Sequence, residues 1–199
     1  PFHVMELLAR AQQLQADGHD VIHMEVGEPD FPTPKPVLDA ARSFLKEGHV
    51  RYTAALGLPA LREAISAFYA EHLGACVSAD RIIVTAGASG ALLLAVASLT
   101  DPGDEWLLSD PGYPCNRQFV QAFGGRVKPL AVHAQSAYQP ELAQVRDAWS
   151  AETKALLLAS PSNPTGTLID DERLDELATF GRARKVALVV DEIYQGLVY

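Results

Sequence analysis

An aspartate and a tyrosine are the residues of this chain whose types and spacing best suit chemistry. Asp191 directly follows the apolar run at 186–190, and Tyr194 stands three residues later. Such a run predicts a buried parallel strand, and open α/β sheets bind their ligands at the carboxyl ends of their strands. A carboxylate and a phenol at that place suit a planar ring that carries a basic nitrogen and a phenolate oxygen. The alternative is structural, with Asp191 as a helix N-cap and Tyr194 as a packing residue.

Three further loops follow predicted strand ends and carry unusual residues. The small residues at 85–90 enter a predicted helix, so that backbone N–H groups there could approach a phosphate. At 110–114, two prolines flank Tyr113 and fix the direction of a ring that could stack on a planar ligand. At 160–166, prolines stiffen the loop around Asn163, whose amide could donate to a ring oxygen. The ordinary interpretations are a tight turn, an aromatic residue that covers the core, and an Asn-Pro turn.

These loops need a scaffold that gathers strand ends at one edge. From residue 81 onward the pattern alternates between strands, predicted at 81–85, 105–109, 127–131, 155–159 and 186–190, and helices, predicted at 89–99, 115–123, 140–149 and 170–182. This alternation predicts an α/β fold with a parallel sheet and right-handed crossovers. The earlier part of the chain predicts helices at 4–16, 37–47 and 59–73 and a short strand at 21–24.

Composition and charge argue against several classes of protein. The net charge of −9 disfavours a nucleic-acid surface, because phosphate binding needs a concentrated positive field. Cys76 and Cys115 have no zinc-binding spacing and are interpreted as packing residues of a protein from a reducing compartment, the cytoplasm. The longest apolar stretch, 90–99, is too short to span a bilayer, so no membrane partner is expected. The chain starts without a methionine and stops in mid-pattern, and we therefore expect it to be an N-terminal fragment.

Six motifs occur in order along the chain: GEPDFPTP at 27–34, Tyr52 with Gly57 and Leu61-Arg62, VTAG at 84–87, PGYP at 111–114, NPTG at 163–166 and DEIY at 191–194. Together they resemble the class I and II aminotransferases, the fold-type I family of pyridoxal 5′-phosphate (PLP) enzymes. The resemblance implies a three-layer α/β/α large domain with a mainly parallel sheet, begun by residues 48–199 and incomplete here. Residues 1–47 would contribute to a small domain. A homodimer with PLP as cofactor is also implied.

The resemblance implies roles for residues around the PLP ring. Asp191 resembles the carboxylate that keeps the pyridine nitrogen protonated. Tyr194 and Asn163 resemble the pair that hydrogen-bonds the phenolate oxygen of the ring, and Tyr113 resembles the aromatic residue that stacks on the ring.

It also implies contacts to the phosphate and the substrate. Gly87, Ala88 and Ser89 resemble the phosphate-binding segment, with backbone donors and the Ser89 hydroxyl as contacts. Tyr52 resembles a tyrosine that reaches the phosphate of the partner subunit. Gly27 resembles a loop glycine beside the substrate carboxylate, and the alternative for it is a plain turn glycine.

The lysine that binds PLP as a Schiff base in this family has no counterpart in the chain. In the family it follows the D-x-x-Y motif at some distance, and the lysines present here do not match its context: Lys35, Lys46, Lys128, Lys154 and Lys185. We therefore expect residues 1–199 alone to be inactive. In the family, two later strands also insert between the predicted fifth and first strands, so we expect 81–85 to lack its neighbour.

Three functions remain open. The first is an aminotransferase that moves an amino group between an L-amino acid and a 2-oxo acid. The second is a PLP-dependent carbon–sulfur lyase, or a related eliminating enzyme, on the same fold. The third is non-enzymatic, a sensor domain of a regulator or an inactive product. The motif at 27–34 favours the first, while the identity of the amino donor is not predicted.

Overall fold

The computed structural model describes residues 3–27 and 31–197, and the chain divides into two compact units, residues 1–82 and 83–199. This division falls at a different point from the predicted domain boundary at 47/48. The assignment of 1–47 to a small domain and of 48–199 to a large one stays a prediction. Glu28, Pro29 and Asp30 of the motif at 27–34 lie outside the described residues.

The first unit is helical. It contains α1 (His3–Ala16), α2 (Lys35–Glu47), α3 (Pro59–Leu73) and a 3₁₀ turn (Ala79–Arg81). Both α2 and α3 have a proline in the first turn, where no N–H donor is needed. They end at Gly48 and Gly74, which have φ of +71° and +66°, a conformation that glycine adopts without a Cβ penalty.

The strand predicted at 21–24 is wrong. These residues form no strand, and their apolar side chains Ile22 and Met24 are 84% and 88% exposed. An apolar stretch becomes a strand only where a second strand accepts its backbone hydrogen bonds, and no described segment does so here.

The second unit is an α/β layer structure. Its strands are β1 (Glu105–Asp110), β2 (Arg126–Ala131), β3 (Thr153–Ala159) and β4 (Ala187–Asp191). Its helices are α4 (Gly87–Leu99), α5 (Pro114–Ala122), α6 (Leu142–Ala148) and α7 (Asp171–Arg184), with a 3₁₀ turn at Ala134–Ser136. All strand pairs are parallel, in the order β2-β1-β3-β4. The predicted parallel sheet of alternating strands and helices is therefore confirmed.

Side chains of β1 alternate between two cores, as expected for a strand that is covered on both faces. Trp106 and Leu108 pack with Leu92 and Val96 of α4 on one face. Leu107 packs on the other face with buried residues of β3, α6 and α7, namely Leu156, Leu158, Val145 and Leu177. The sheet is thus the middle of three layers. Each fully buried side chain of this size contributes about 1.5–3 kcal/mol.

The strand predicted at 81–85 does not form. Arg81 ends the 3₁₀ turn, and residues 82–85 pair with no strand in the described part of the chain. Ile82 has extended dihedral angles, φ −102° and ψ 127°, so the backbone is strand-like but lacks a partner. The expectation that this segment has no neighbour agrees with this arrangement.

The strand that ends at Asp191, β4, is less buried than predicted. Every residue of β4 is half-buried, because β4 pairs only with β3 and has no second neighbour among the described strands. None of the described helices combines the length and the apolar character that crossing a bilayer requires.

Candidate functional site

A cavity of about 340 Å³ lies at the carboxyl edge of the sheet, where it is lined by Ala159 at the end of β3 and Asp191 at the end of β4. The candidate residues of the second unit all line it: Gly87, Ala88, Ser89, Tyr113, Asn163, Asp191 and Tyr194. Its volume is in the range of small-molecule sites. The structure thus gathers candidate residues that are up to 107 positions apart in the sequence, from Gly87 to Tyr194, around one cavity.

The start of α4 forms one wall of this cavity. Gly87 has a φ of +74°, and the Thr85 hydroxyl donates to the carbonyl oxygen of Gly87 at 2.9 Å. The N-cap Ala86 provides no side-chain acceptor, and the first turn contains no acidic residue. Because the first N–H groups of a helix have no intrahelical acceptor, the turn that contains Ala88 and Ser89 presents donors and a positive dipole end. This wall can bind an anion.

Asp191 also lines the cavity and is half-buried. Its Oδ1 accepts a hydrogen bond from the backbone N–H of Ile193 at 3.2 Å. The residues that follow, 193–196, form a turn and not a helix, so the alternative of a helix N-cap is wrong. One carboxylate oxygen therefore stabilises a local turn while the side chain remains at the cavity.

A group of polar side chains surrounds the Tyr113 hydroxyl. The pKa of the Tyr113 phenol is raised above its ordinary value, first by a hydrogen bond with the Cys115 side chain and then by burial. A hydrogen bond with the Ser89 side chain lowers this pKa, whereas the electrostatic effect of Tyr194 raises it. The phenol is therefore uncharged at neutral pH. The packing interpretation of Cys115 missed this contact, although its position two residues after Tyr113 was a usable signal.

The loop that carries Asn163 is closed by backbone hydrogen bonds. The N–H of Ser162 donates to the carbonyl oxygen of Thr167 at 2.9 Å. The N–H of Gly166 donates to the carbonyl oxygen of Ser162 at 2.7 Å. The hydroxyl of Ser160 accepts from the N–H of Ile169 at 3.1 Å. Asn163 itself is half-buried and lines the cavity.

Two candidates belong to the first unit. Gly27 is exposed, and a Cβ added there would meet no atom within 4 Å, which leaves the turn-glycine alternative open. Tyr52 is fully exposed. Close to Gly27 in sequence, a hydrogen bond from His23 at 2.6 Å lowers the pKa of the Glu25 carboxyl.

Neither a lysine nor a metal-ligand cluster accompanies the cavity residues within the described parts of the chain. Lys128, Lys154 and Lys185 belong to the second unit and do not line the cavity, while Lys35 and Lys46 belong to the first. In residues 3–27 and 31–197, no group of three or more His, Cys, Asp or Glu side chains could hold a metal ion.

Comparison with known proteins identifies the family. A (5-formylfuran-3-yl)methyl phosphate transaminase of Methanocaldococcus jannaschii is 41% identical over 198 residues, which are 100% of this chain and 50% of that protein. A valine–pyruvate aminotransferase of Mycobacterium tuberculosis is 38% identical over 199 residues, 100% of this chain and 51% of that protein. An aspartate aminotransferase of Thermus thermophilus, solved with maleate, superimposes with a TM-score of 0.95 at 35% identity over 100% of this chain and 52% of that one.

The chain therefore spans about half the length of the curated relatives that it matches. Their names favour amino transfer over the carbon–sulfur lyase alternative. The family model of the class I and II aminotransferases matches residues 19–199. This chain belongs to that family, whose members depend on PLP.

Proposed function

We propose that the protein acts as a PLP-dependent aminotransferase, with the cavity of about 340 Å³ as its cofactor site. The reaction would transfer an amino group between an L-amino acid and a 2-oxo acid. The observation that supports this most is the meeting of residues from four separate loops, at 85–90, 110–114, 160–166 and 191–194, around one cavity.

The chemistry of the lining residues fits PLP group by group. A phosphate needs several N–H donors and a positive potential, which the first turn of α4 with Ser89 supplies. The ring nitrogen needs a carboxylate, and Asp191 lines the same cavity as that turn. The phenolate oxygen needs hydrogen-bond donors, and the Asn163 amide and the Tyr194 hydroxyl line the cavity.

When bound, PLP supplies an electron sink for the carbanion that forms when the substrate loses its α-proton. The residues of this chain bind and orient the ring. The Asp191 carboxylate would hold a proton on the ring nitrogen, since an opposite charge nearby favours the protonated form. Tyr113, uncharged at neutral pH, can cover the ring face without repelling the phenolate.

We further propose that the protein is a homodimer whose first unit contributes two site residues. Tyr52 would contact the phosphate of the partner subunit in a homodimer, and Gly27 would lie beside the substrate carboxylate. The names of the relatives give different substrates, so we propose no amino donor more specific than an L-amino acid. We also propose a cytoplasmic role in amino-acid metabolism and biosynthesis; two free cysteines, Cys76 and Cys115, support a reducing compartment.

Cofactor binding can be tested with pyridoxamine 5′-phosphate, the amine form of PLP, which cannot form an imine with a lysine. Equilibrium dialysis should show saturable binding by the chain. Ser89→Ala and Asp191→Asn should each weaken it by roughly 10–100-fold, the range for hydrogen bonds to charged groups. Ser98→Ala is the matched control, because Ser98 is an exposed residue at the other end of α4. Equal affinity of Ser89→Ala and Ser98→Ala would contradict the assignment.

Turnover should be absent from residues 1–199 alone, because no lysine of the described residues lines the cavity. The expected rate with PLP, an amino acid and 2-oxoglutarate equals that of PLP in buffer. A faster rate that depends on the chain would show that another group replaces the lysine.

A further inference from the structure

Gln139 is a buried polar residue that does not line the cavity. It stands between the 3₁₀ turn Ala134–Ser136 and α6, and its side chain is 1% exposed. Its Nε2 donates to the carbonyl oxygen of Ala159 at 3.0 Å and to that of Thr167 at 3.2 Å. Both protons of the amide group are therefore used, and both acceptors are backbone atoms distant in sequence.

The two acceptors lie on either side of the Asn163 loop (residues 160–166). Ala159 is the last residue of β3 and lines the cavity, and Thr167 directly follows the loop. The carbonyl oxygen of Thr167 also accepts from the N–H of Ser162, the residue before Asn163. The amide group of Gln139 thus joins the two ends of the loop. One of its two acceptors, the carbonyl oxygen of Thr167, is the oxygen that also binds the N–H of Ser162.

Gln139 is itself held in place by the fold. Its backbone N–H donates to the carbonyl oxygen of Ser136 at 3.1 Å. The same oxygen accepts from Nη1 of Arg173, a residue of α7, at 2.9 Å. A side chain that is anchored in this way, with no solvent around it, can transmit rigidity to the loop because its alternative rotamers would leave buried polar groups without partners.

We propose that Gln139 is a positioning residue that holds the Asn163 loop in the conformation that presents Asn163 to the cavity. The loop-holding part of this proposal stands on the hydrogen bonds alone. Its consequence for cofactor binding rests on the proposed function. The two parts can be measured separately.

Gln139→Met keeps the size of the side chain and removes both donors. Amide hydrogen exchange of the chain should show protection at Ser162 and Gly166 reduced about tenfold, the loss expected for about one buried hydrogen bond, while amides of β1 keep theirs. Pyridoxamine 5′-phosphate should bind roughly tenfold more weakly for the same reason. Gln144→Met is the matched control, since Nε2 of Gln144 donates to the carbonyl oxygen of Ala131 at 2.6 Å, away from this loop.

Gln139→Glu gives a readout that a purely structural role would not produce. At neutral pH its carboxylate would face two carbonyl oxygens and repel both, whereas the protonated acid regains one O–H donor. On acidification, hydrogen-exchange protection of the Asn163 loop should therefore rise in Gln139→Glu but not in the reference variant. The reference is Gln139→Met if that variant folds, and Gln144→Met if it does not. Loop protection that matches the Gln144→Met control, or a loss spread evenly over the chain, overturns the proposal. Failure of the unsubstituted chain to bind pyridoxamine 5′-phosphate counts against the proposed function alone.

Discussion

Gly112 shows at the scale of one residue why the loop before Tyr113 needs a glycine. A Cβ added at position 112 would lie 2.6 Å from the carbonyl oxygen of Ser109, closer than real Cβ atoms approach any atom. Glycine is needed here because the backbone at position 112 lies close to the backbone of Ser109. A left-handed conformation is not the cause, since the φ of Gly112 is not positive. The carbonyl belongs to β1, so the clash can be relieved only by moving the loop that carries Tyr113.

Gly112→Ala should therefore lower the free energy of unfolding by about 1–3 kcal/mol, the usual cost of overpacking. Denaturant unfolding followed by circular dichroism measures this change. Gly90→Ala is the control, because its nearest contact is an ordinary 3.5 Å to Cβ of Thr85 and an alanine inside α4 is favourable by roughly 0.5–1 kcal/mol. The explanation fails if both variants unfold at the same denaturant concentration as the unsubstituted chain.

At the scale of elements, α3 determines the path of the chain after it. Arg62 of α3 donates from Nε to the carbonyl oxygen of Ile82 at 2.9 Å and from Nη2 to that of Ala79 at 2.6 Å. Its side chain is 12% exposed, whereas the carboxylate of Asp80 at 3.6 Å is 97% exposed. The half-buried fork to two carbonyls, and not the exposed ion pair, therefore fixes the 3₁₀ turn against the helix.

Arg62→Met should lower the free energy of unfolding of the first unit by about 1.5–3 kcal/mol, since two acceptors lose a charged donor. Arg62→Lys should recover only part of this loss, because an ammonium group cannot span both carbonyls in the way of a planar guanidinium. The midpoints of thermal unfolding should rank the unsubstituted chain above Arg62→Lys, and Arg62→Lys above Arg62→Met. Asp80→Asn serves as control and should change stability by less than about 1 kcal/mol. A larger effect of Asp80→Asn than of Arg62→Met would assign the stabilisation to the ion pair.

Elements with local signals were predictable from the sequence, and those that depend on distant partners were not. The helix α7 starts where the side chain of Asp170 accepts from the N–H of Arg173 at 2.8 Å, a cap visible in the sequence. The segment 81–85 has the same apolar pattern as the true strands, but a strand also needs a neighbour. The bonds of Gln139 reach 20 and 28 positions along the chain, and no periodicity signals such a contact.

At the scale of the molecule, the described residues combine open strand edges with exposed apolar side chains. The described strands end with β2 on one side and β4 on the other. Leu94 of α4 is 57% exposed, and Ile193 and Leu197, which follow β4, are 58% and 70% exposed. Unpaired strand edges and exposed apolar groups promote association between chains. The net charge of −9 opposes it through repulsion that salt screens.

These opposing effects predict that the chain self-associates, and more strongly at high salt than at low salt. Leu94→Gln should raise the dissociation constant about tenfold or more, because burial of a leucine side chain contributes about 1.5–3 kcal/mol. Gln121→Ala, at an exposed position of α5 and with no change of charge, should leave the dissociation constant unchanged. Sedimentation velocity over a range of protein concentrations, at two salt concentrations, measures each constant. A chain that stays monomeric throughout, or equal behaviour of the two variants, would show that this surface does not drive association.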